Sequence, residues 1–325
     1  MTSPTQLLGI SNAIVDILAH VEHDLIAQLG IVPGSMNLID EERAREIYAL
    51  TGPAIEMSGG SVANTVAGFA NLGGASAYIG RVRDDQFGEI FNHDMRSLGV
   101  DIRLEPGTDG APTARSHVLI TDDGQRTMNT YLGACTELAT ADINAQTVGA
   151  PKVILLEGYV WDLPEGPKLT RRAMDLGHTE GAAVALSLSD SFCVERHLQS
   201  FRDSVSDGVD IVLGNEAEIC THFGVDSFDA AVVEMLARPN LFAITRSEKG
   251  SVIVADGNRV DQPAETIGAV VDTTGAGDAW SAGFLYGLVQ DWSHADCARL
   301  GTHCASNVIQ QIGARIDPGL LETFE

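Results

Sequence analysis

Positive charge is scarce in this chain. Its 325 residues include three lysines, and the 20 lysines and arginines together face 45 aspartates and glutamates, which gives a formal net charge of −25 at pH 7. A chain this acidic repels phosphate backbones and anionic lipid, so we expect neither nucleic acid nor a membrane surface as a partner. A small anion can still be bound locally by backbone N–H groups.

Cysteine and long apolar runs are also in short supply. The five cysteines are widely spaced and form no Cys-x-x-Cys pair. An odd number at such spacing is typical of reduced thiols in the cytoplasm rather than of a disulfide framework or a zinc site. No apolar run in the sequence approaches the ~20 residues that a membrane-spanning helix needs.

Two widespread nucleotide-binding sequences are missing as well. A Walker-type loop needs Gly-Lys followed by Ser or Thr, which the chain lacks. A dinucleotide-binding fingerprint around Gly275 and Gly277 would need a third glycine where Trp280 stands. Neither interpretation therefore fits this chain.

The second half of the chain alternates short apolar runs with helical periods. The apolar runs lie at 153–156, 182–188, 211–213 and 241–244, and helical segments lie near 164–176, 192–204 and 215–237. This alternation predicts an α/β fold with a doubly wound, mostly parallel sheet covered on both faces. No linker rich in proline or serine divides residues 1–325, so we expect a single domain. The hairpin segments near 14–40 and 111–132 predict a small β element beside the sheet.

The most informative segment runs from Asp272 to Asp278. A strand that ends at Val271 enters a turn of small residues, and a helix begins there. Free N–H groups at a helix start bind anions, and Gly275 and Gly277 let a phosphate approach the backbone. A carboxylate should repel that phosphate, so Asp278 makes sense as a base that takes a proton from a hydroxyl attacking phosphorus. The competing interpretation is a first-turn aspartate favoured only by the helix dipole.

Two glycine-rich segments together resemble the signatures of the PfkB/ribokinase family of sugar and nucleoside kinases. The first is Gly59-Gly60-Ser61-Val62-Ala63-Asn64-Thr65-Val66, continued to Leu72-Gly73-Gly74, and the second runs from Asp272 to Asp278 and into the following helix. The resemblance implies a ribokinase-like domain with a β-sheet lid, ATP as the phosphate donor, Mg²⁺ and often K⁺. It also implies that Asp278 is the base and that Gly275, Ala276 and Gly277 bind the transferring phosphoryl group.

The same resemblance places acceptor-binding residues in the first part of the chain. Asn12 and Asp16 resemble a pair whose amide and carboxylate bind vicinal hydroxyls, although turn-forming residues at a strand end are the competing interpretation. Gly59, Gly60 and Asn64 would complete the acceptor site. Asn64 can also be interpreted as an ordinary polar helix residue.

Further residues resemble the nucleotide contacts of the family. Asn215 and Glu218 match an N-x-x-E motif that organises Mg²⁺ and phosphates through water, with a helix N-cap as the competing interpretation. Thr245 and Gly250 resemble a stretch that contacts ATP, in a looser match because residues 246–249 depart from the family pattern.

A cation site is the last feature that the resemblance suggests for the second signature. Asp272 and Thr274 are candidates to hold a monovalent cation such as K⁺ through their oxygen atoms.

Two segments favour the adenosine-kinase-like branch of the family, namely 33–40 and 126–134. In that branch Arg126 stands where an arginine contacts phosphate, and a solvated hairpin charge is the competing interpretation. Met36, Leu38 or Tyr131 would then lie against a nucleoside base, although such residues more often belong to an ordinary core.

The sequence therefore predicts an ATP-dependent kinase that phosphorylates the primary hydroxyl of a ribofuranosyl nucleoside, with adenosine favoured. A kinase for ribose, fructose or a related sugar is the alternative within the family. A sensor that binds a sugar or nucleoside without turnover is the alternative from another class, and Asp278 argues against it because a sensor needs no base. A monomer and a homodimer paired through the lid both stay open.

Overall fold

The structure, a computed structural model, describes residues 4–123, 125–265 and 268–324. Gly124, inside the predicted lid segment 111–132, lies outside the described residues. The strands are β1 (Leu7–Ile10), β2 (Ile14–His20), β3 (Met36–Leu38), β4 (Ile55–Gly59), β5 (Ser76–Ile79), β6 (Asp101–Ile102), β7 (Ala114–Ile120), β8 (Arg126–Tyr131), β9 (Val153–Glu157), β10 (Ala183–Ser187), β11 (Ile211–Asn215), β12 (Leu241–Thr245), β13 (Ser251–Ala255) and β14 (Asn258–Gln262). The helices are α1 (His23–Leu29), α2 (Glu41–Leu50), α3 (Ser61–Asn71), α4 (Gln86–Ser97), α5 (Ala145–Val148), α6 (Gly166–Thr179), α7 (Ser191–Arg196), α8 (Leu198–Asp207), α9 (Glu216–Phe223), α10 (Phe228–Leu236), α11 (Ala276–Val289) and α12 (His294–Val308).

The large sheet has nine strands in the order β14-β13-β12-β11-β10-β9-β1-β5-β6. Its strands pair in parallel from β6 to β12, and β13 and β14 add an antiparallel edge. From β1, successive strands are added on one side as far as β6. From β9, which lies on the other side of β1, they are added in the opposite direction as far as β12. In such sheets a ligand binds beyond the carboxyl ends of the strands where the direction changes. The topology thus points to a crevice at the ends of β1 and β9.

Two apolar layers hold helices on opposite faces of the large sheet. Leu8 joins the layer that includes Phe201 of α8 and Ile219 of α9. Its neighbour Leu7 faces the other way, into the layer that includes Val66 of α3 and Phe284 of α11. Successive residues of a strand point to opposite faces, so these buried strands are apolar on both. The predicted doubly wound α/β fold is confirmed.

The helix predictions were wrong at 192–204 and at 215–237, each of which falls on two helices rather than one. Helix α9 ends at Gly224, whose φ of 71° is left-handed and suits a residue without a Cβ. Helix α10 begins after the N-cap Ser227. No helix in the described part of the chain is long and apolar enough to cross a membrane.

The small sheet has five strands in the order β3-β8-β7-β2-β4. Segments 14–40 and 111–132 supply four of these strands, whereas β4 and the helices α1 and α2 were not predicted from the sequence. Ile26 of α1 and Ile47 of α2 pack with Ala19 and Leu119 on one face of the sheet. Strand β4 leads directly into α3, so the small sheet ends at the first glycine signature.

Helices α3 and α11 pack closely because the residues between them are small. A Cβ on Gly68 would lie 3.0 Å from the Cβ of Ala282 and 3.4 Å from the Cδ1 of Ile316. Ala63 and Ala67 on the same helix are fully buried. This close approach lets the first turns of the two helices meet, and it positions the site described below.

Substituting Gly68→Val should therefore destabilise the fold. The added methyl groups would overpack the α3–α11 contact and lower the free energy of unfolding by about 1–3 kcal/mol. Urea unfolding followed by circular dichroism measures this. Gly52→Val is the matched control, because no atom lies within 4 Å of the position of a Cβ at Gly52. Equal stability of the two variants would contradict the packing argument.

Candidate active site

The carboxylate of Asp278 lies where the first turns of α3 and α11 meet. Ser61 Oγ donates a hydrogen bond to its Oδ1 at 2.7 Å, and Asn64 Nδ2 donates one to its Oδ2 at 3.1 Å. Both oxygens therefore have a donor, and the side chain is oriented by a neighbouring helix. Burial raises the pKa of Asp278 to about 6, although both hydrogen bonds and the charge of Arg315 lower it. A carboxylate with this pKa can accept a proton near neutral pH.

Arg315 links Asn64 of α3 to Ser58 of β4. Its guanidinium donates to Asn64 Oδ1, and it also donates to the carbonyl oxygen of Ser58 at 2.5 Å and to Ser58 Oγ at 2.7 Å. With Oδ1 of Asn64 taken by Arg315, the Asn64 amide group is held with its N–H toward Asp278. Burial lowers the pKa of Arg315, while the charges of Asp16 and Asp278 raise it. Arg315 thus orients Asn64 and adds positive charge beside two acids.

The two glycines of the first signature leave room for Asp16 and Asn12. A Cβ on Gly59 would lie 2.1 Å from Oδ2 of Asp16, and a Cβ on Gly60 would lie 2.7 Å from the carbonyl oxygen of Asn12. Gly60 also has a φ of 91°, which favours glycine. The structure thus brings together the four residues that were predicted to bind the acceptor with Asn64.

Asp16 is a second acid in the same crevice. Its pKa is raised to about 7, chiefly by burial and in part by the charge of Asp278, against the lowering effect of Arg315 and Arg126. Both forms of Asp16 can contact hydroxyl groups: the ionised carboxylate accepts hydrogen bonds from them, and the protonated form can also donate one.

Asn12 is held by Glu157, which was not predicted as a site residue. Asn12 Nδ2 donates to Glu157 Oε1 at 3.3 Å, and the backbone N–H of Val62 donates to Glu157 Oε2 at 3.4 Å. Burial raises the pKa of Glu157 to about 7. The Oδ1 of Asn12 is buried without a partner in the described residues. Asn12 follows β1 and Glu157 ends β9, so this pair sits at the change of winding direction.

The first turn of α11 offers backbone donors. Its N-cap is Gly275, which has a φ of 72° and no side chain that could cap the helix. A Cβ on Gly275 would lie 2.3 Å from the Cβ of Ala314, so a larger residue does not fit. Gly277 faces open space, with no atom within 4 Å of its Cβ position. The N–H of Ala276 donates to the carbonyl oxygen of Thr273 at 3.2 Å, whereas those of Gly277 and Asp278, at the positive end of the helix, are left for an anion.

Arg126 of the small sheet reaches the second signature. It forms an ion pair with Oδ1 of Asp272 and a hydrogen bond with Oγ1 of Thr274. Asp272 is buried, and it also accepts hydrogen bonds from the backbone N–H groups of Thr274 and Gly313, each at 2.8 Å. The two candidate cation ligands therefore lie together, with the guanidinium of Arg126 as their positive partner.

Asn215 and Glu218 form a reciprocal cap at the start of α9. Asn215 Oδ1 accepts from the Glu218 N–H at 3.0 Å, and Glu218 Oε2 accepts from the Asn215 N–H at 3.0 Å. The N-cap geometry is thus present. Burial raises the pKa of Glu218 to about 7, and the charges of Asp190 and Asp278 contribute to the rise.

Thr245 and Gly250 lie farther along the same edge of the large sheet. Thr245 is the register partner of Asn215 at the ends of β12 and β11. Gly250 has a φ of 84°, and a Cβ there would lie 2.0 Å from the carbonyl oxygen of Gln262. The tight turn into β13 therefore explains this glycine by itself. Among the described residues, no group of three or more His, Cys, Asp or Glu side chains could hold a metal ion.

The face of the small sheet that carries Asp16 is largely apolar. The pairing register puts Asp16 on the same face as Leu38, and it puts Met36 and Met128 in the adjacent row. Met36, Leu38 and Met128 are 44%, 58% and 37% exposed. The prediction for Tyr131 was wrong, because Tyr131 is paired with Arg115 on the opposite face.

Comparison with known proteins identifies the family of the chain. The model described as pfkB family carbohydrate kinase matches residues 31–319. The chain belongs to this family. It is a phosphotransferase that acts on a hydroxyl group of a nucleoside or sugar, as the two signatures predicted.

Three proteins similar to this chain are named as nucleoside or sugar kinases. A crystal structure of adenosine kinase from Sinorhizobium meliloti is 44% identical, with a TM-score of 0.92 over 99% of this chain and 98% of that one. A probable sugar kinase from Rhizobium etli CFN 42 has the same identity, TM-score and coverage. Fructokinase-1 from Oryza sativa subsp. japonica is 30% identical over 73% of this chain and 75% of its own.

Three residues of the kinase crevice escaped prediction as site residues: Ser61, Glu157 and Arg315. Ser61 lies inside the first signature, and its position as the first residue of α3 could have marked it as a donor. Glu157 is an acid at the end of an otherwise apolar run, a pattern that often marks a functional carboxylate in a parallel sheet. Arg315 carries no comparable local signal.

Arg315→Gln should move the pH profile of the kinase. Losing the cation raises the pKa of Asp278, so the base stays protonated to a higher pH. The rising limb of kcat/KM against pH should shift upward by about 1 unit. Arg315→Lys should restore most of the limb position but not the full kcat, because lysine lacks the planar fork.

Arg299→Gln serves as the control, since Arg299 is an exposed residue of α12 paired with Asp296. A folded Arg315→Gln variant whose limb stays at the wild-type pH would show that Arg315 does not act through Asp278.

Proposed function

We propose that the protein is an ATP-dependent kinase that transfers the γ-phosphoryl group to the primary hydroxyl of a ribofuranosyl nucleoside, with adenosine favoured. The observation that carries this choice is the exposed apolar patch of Met36, Leu38 and Met128 on the face of the small sheet that carries Asp16. A nucleoside base needs such a surface beside the residues that bind its ribose. A free sugar has no group to bury there.

Asp278 accepts the proton of the attacking hydroxyl in this mechanism. Ser61 and Asn64 hold its two oxygens, so the carboxylate is already oriented when the acceptor arrives. Asn12, Asp16, Gly59 and Gly60 bind the ribose hydroxyls, together with Asn64. The N–H groups around Gly275, Ala276 and Gly277 stabilise the negative charge that develops on the transferring phosphoryl group.

The nucleotide lies across the carboxyl ends of β11 and β12. We assign Asn215 and Glu218 to the hydration shell of Mg²⁺, which fits the lack of a protein cage among the described residues because Mg²⁺ keeps several waters. When bound, Mg²⁺ neutralises phosphate charge. Thr245 and Gly250 are assigned to ATP. Arg126 contacts the transferring phosphate, and Asp272 and Thr274 then offer oxygen ligands to K⁺.

The small sheet acts as a lid over the acceptor in this proposal. Closure would exclude water and limit wasteful hydrolysis of ATP. We favour a monomer over a dimer paired through the lid, because α1 and α2 of the same chain pack on the lid face opposite Asp16. We also place the kinase in the cytoplasm, where ATP is available and its five free cysteines stay reduced.

Two other functions remain to be tested against this one. The 30% identity to a fructokinase favours a sugar kinase that uses the same base and anion site. A sensor without turnover would bind the acceptor in the same crevice but would not need an oriented Asp278. The acceptor that is phosphorylated fastest separates the two kinases, and acceptor binding without turnover identifies the sensor.

Asp278→Asn should lower kcat by about 10²–10⁴-fold, because asparagine cannot take up the proton. The KM for the acceptor should change little, since the side chain keeps its shape. Steady-state formation of ADP measures both constants, and Asp296→Asn on the exposed part of α12 is the control. Turnover close to that of the wild type would rule out Asp278 as the base.

The acceptor is tested by ADP formation with ATP, Mg²⁺ and K⁺ against adenosine, inosine, guanosine, cytidine, ribose and fructose. We expect the fastest turnover with adenosine. A preference for a free sugar would select the sugar kinase. Tight acceptor binding with no ADP formed would select the sensor.

Met128→Ala should raise the KM for adenosine about fivefold, as expected from losing about 1 kcal/mol of apolar contact. The KM for any free sugar that is turned over should not change. Tyr131→Phe is the control, since Tyr131 lies on the opposite face of the small sheet. Equal effects of Met128→Ala on the KM for a nucleoside and on the KM for a sugar would show that this apolar patch does not bind the nucleoside base.

A further inference from the structure

Arg115 in β7 is a buried arginine without a charged partner. It is 6% exposed. Among the described residues, no carboxylate oxygen lies within 4.0 Å of its guanidinium nitrogens, and no side chain or carbonyl accepts a hydrogen bond from them. Burial lowers its pKa. Its guanidinium nitrogens are not among the fully enclosed polar atoms, so they are open to water or to a ligand, and a carboxylate or phosphate is the group that normally pairs with such an arginine.

Two aromatic rings present their faces to Arg115. Its guanidinium carbon lies 5.5 Å from the centre of the Phe87 ring and 5.3 Å from the centre of the Tyr131 ring. These contacts stabilise the charge. The N–H groups of Arg115 have no acceptor among the described residues, so they remain available to a planar anion.

Arg115 lines a cavity of about 350 Å³ at the junction of the two sheets. Tyr48 of α2 and Phe87 and Pro112 supply apolar walls. The cavity lies on the face of the small sheet opposite the crevice, because Arg115 pairs with Val15 whereas Asp16 pairs with the next residue, Ser116. It is therefore a separate place in the molecule from the kinase site.

The other charged residues that line the cavity have partners of their own. Glu41 forms an ion pair with Arg45. Asp85 accepts hydrogen bonds from the N–H groups of Gly88 and Thr113 and from the Thr113 hydroxyl. His117, two residues along on the same face, has its pKa lowered to about 4 by burial and by Arg115, so it is neutral. Arg115 is the charged lining side chain whose polar atoms have no hydrogen-bond partner among the described residues, and the nearby charges of Glu41 and Asp85 raise its pKa against the effect of burial.

We propose that this cavity binds a small organic carboxylate with an apolar body. The carboxylate would pair side by side with the N–H groups of Arg115, and the apolar body would lie between Tyr48, Phe87 and Pro112. The walls belong to the small sheet and its helix α2 on one side and to α4 of the large domain on the other. A bound acid would therefore contact both parts of the chain at once.

Benzoate is a suitable probe, with benzamide as a neutral ligand of the same shape. Ligand-observed NMR titrations of the full chain at constant ionic strength should show saturable benzoate binding and at least tenfold weaker binding of benzamide. Arg115→Gln should weaken benzoate binding at least tenfold. Arg299→Gln, which removes an exposed arginine of α12 that does not line the cavity, should weaken it less than threefold.

A second variant keeps the test valid if Arg115→Gln does not fold. Tyr48 is 44% exposed, so Tyr48→Glu should fold, and its carboxylate at the cavity wall should abolish benzoate binding. Equal affinity for benzoate and benzamide would overturn the proposal. So would benzoate binding that survives these variants, or binding that ATP or adenosine displaces, since it would then occur in the crevice. None of these readouts requires turnover, so they stand apart from the test of kinase activity.

Discussion

The pair of hydrogen bonds that Ser61 and Asn64 donate to Asp278 is the interaction on which the crevice depends. It joins the first turns of α3 and α11, which approach closely because the residues between them are small. Since α3 follows β4, the same junction fixes the end of the small sheet over the carboxyl ends of β1 and β9. The same contact between α3 and α11 therefore positions Asp278, the acceptor-binding residues and the backbone donors of α11.

The charges in the crevice favour ligand binding at the expense of stability. Burial raises the pKa of Asp16, Glu157 and Glu218 to about 7 and that of Asp278 to about 6. Each of these acids binds protons more tightly when folded than when unfolded, where the pKa is near 4. Their contribution to stability therefore falls as pH rises from about 4 to about 7. The charges of Arg315 and Arg126 offset part of this loss of stability, because they lower the pKa of the neighbouring aspartates.

Local patterns made the large sheet and both glycine signatures predictable, because apolar runs and glycine pairs are visible within a few residues. The apolar residues of α1 and α2, such as Ile26, gain meaning only against the small sheet, so these helices were missed. Arg315 contacts Asn64 across 251 positions of sequence, which no local pattern encodes. Tyr131 was assigned to the wrong face because strand alternation does not say which face is the inner one.

Gly59 and Gly60 are required by their neighbours and not by phosphoryl transfer. A Cβ at either position would collide with the Asp16 carboxylate or the Asn12 carbonyl, whether or not the catalytic carboxylate of Asp278 is present. A descendant of this gene that lost Asp278, but still needed Asp16 in place, would therefore keep both glycines. The two glycines of the first signature thus preserve the space beside Asp16 and Asn12, whereas Ser61 and Asn64 of the same signature serve Asp278.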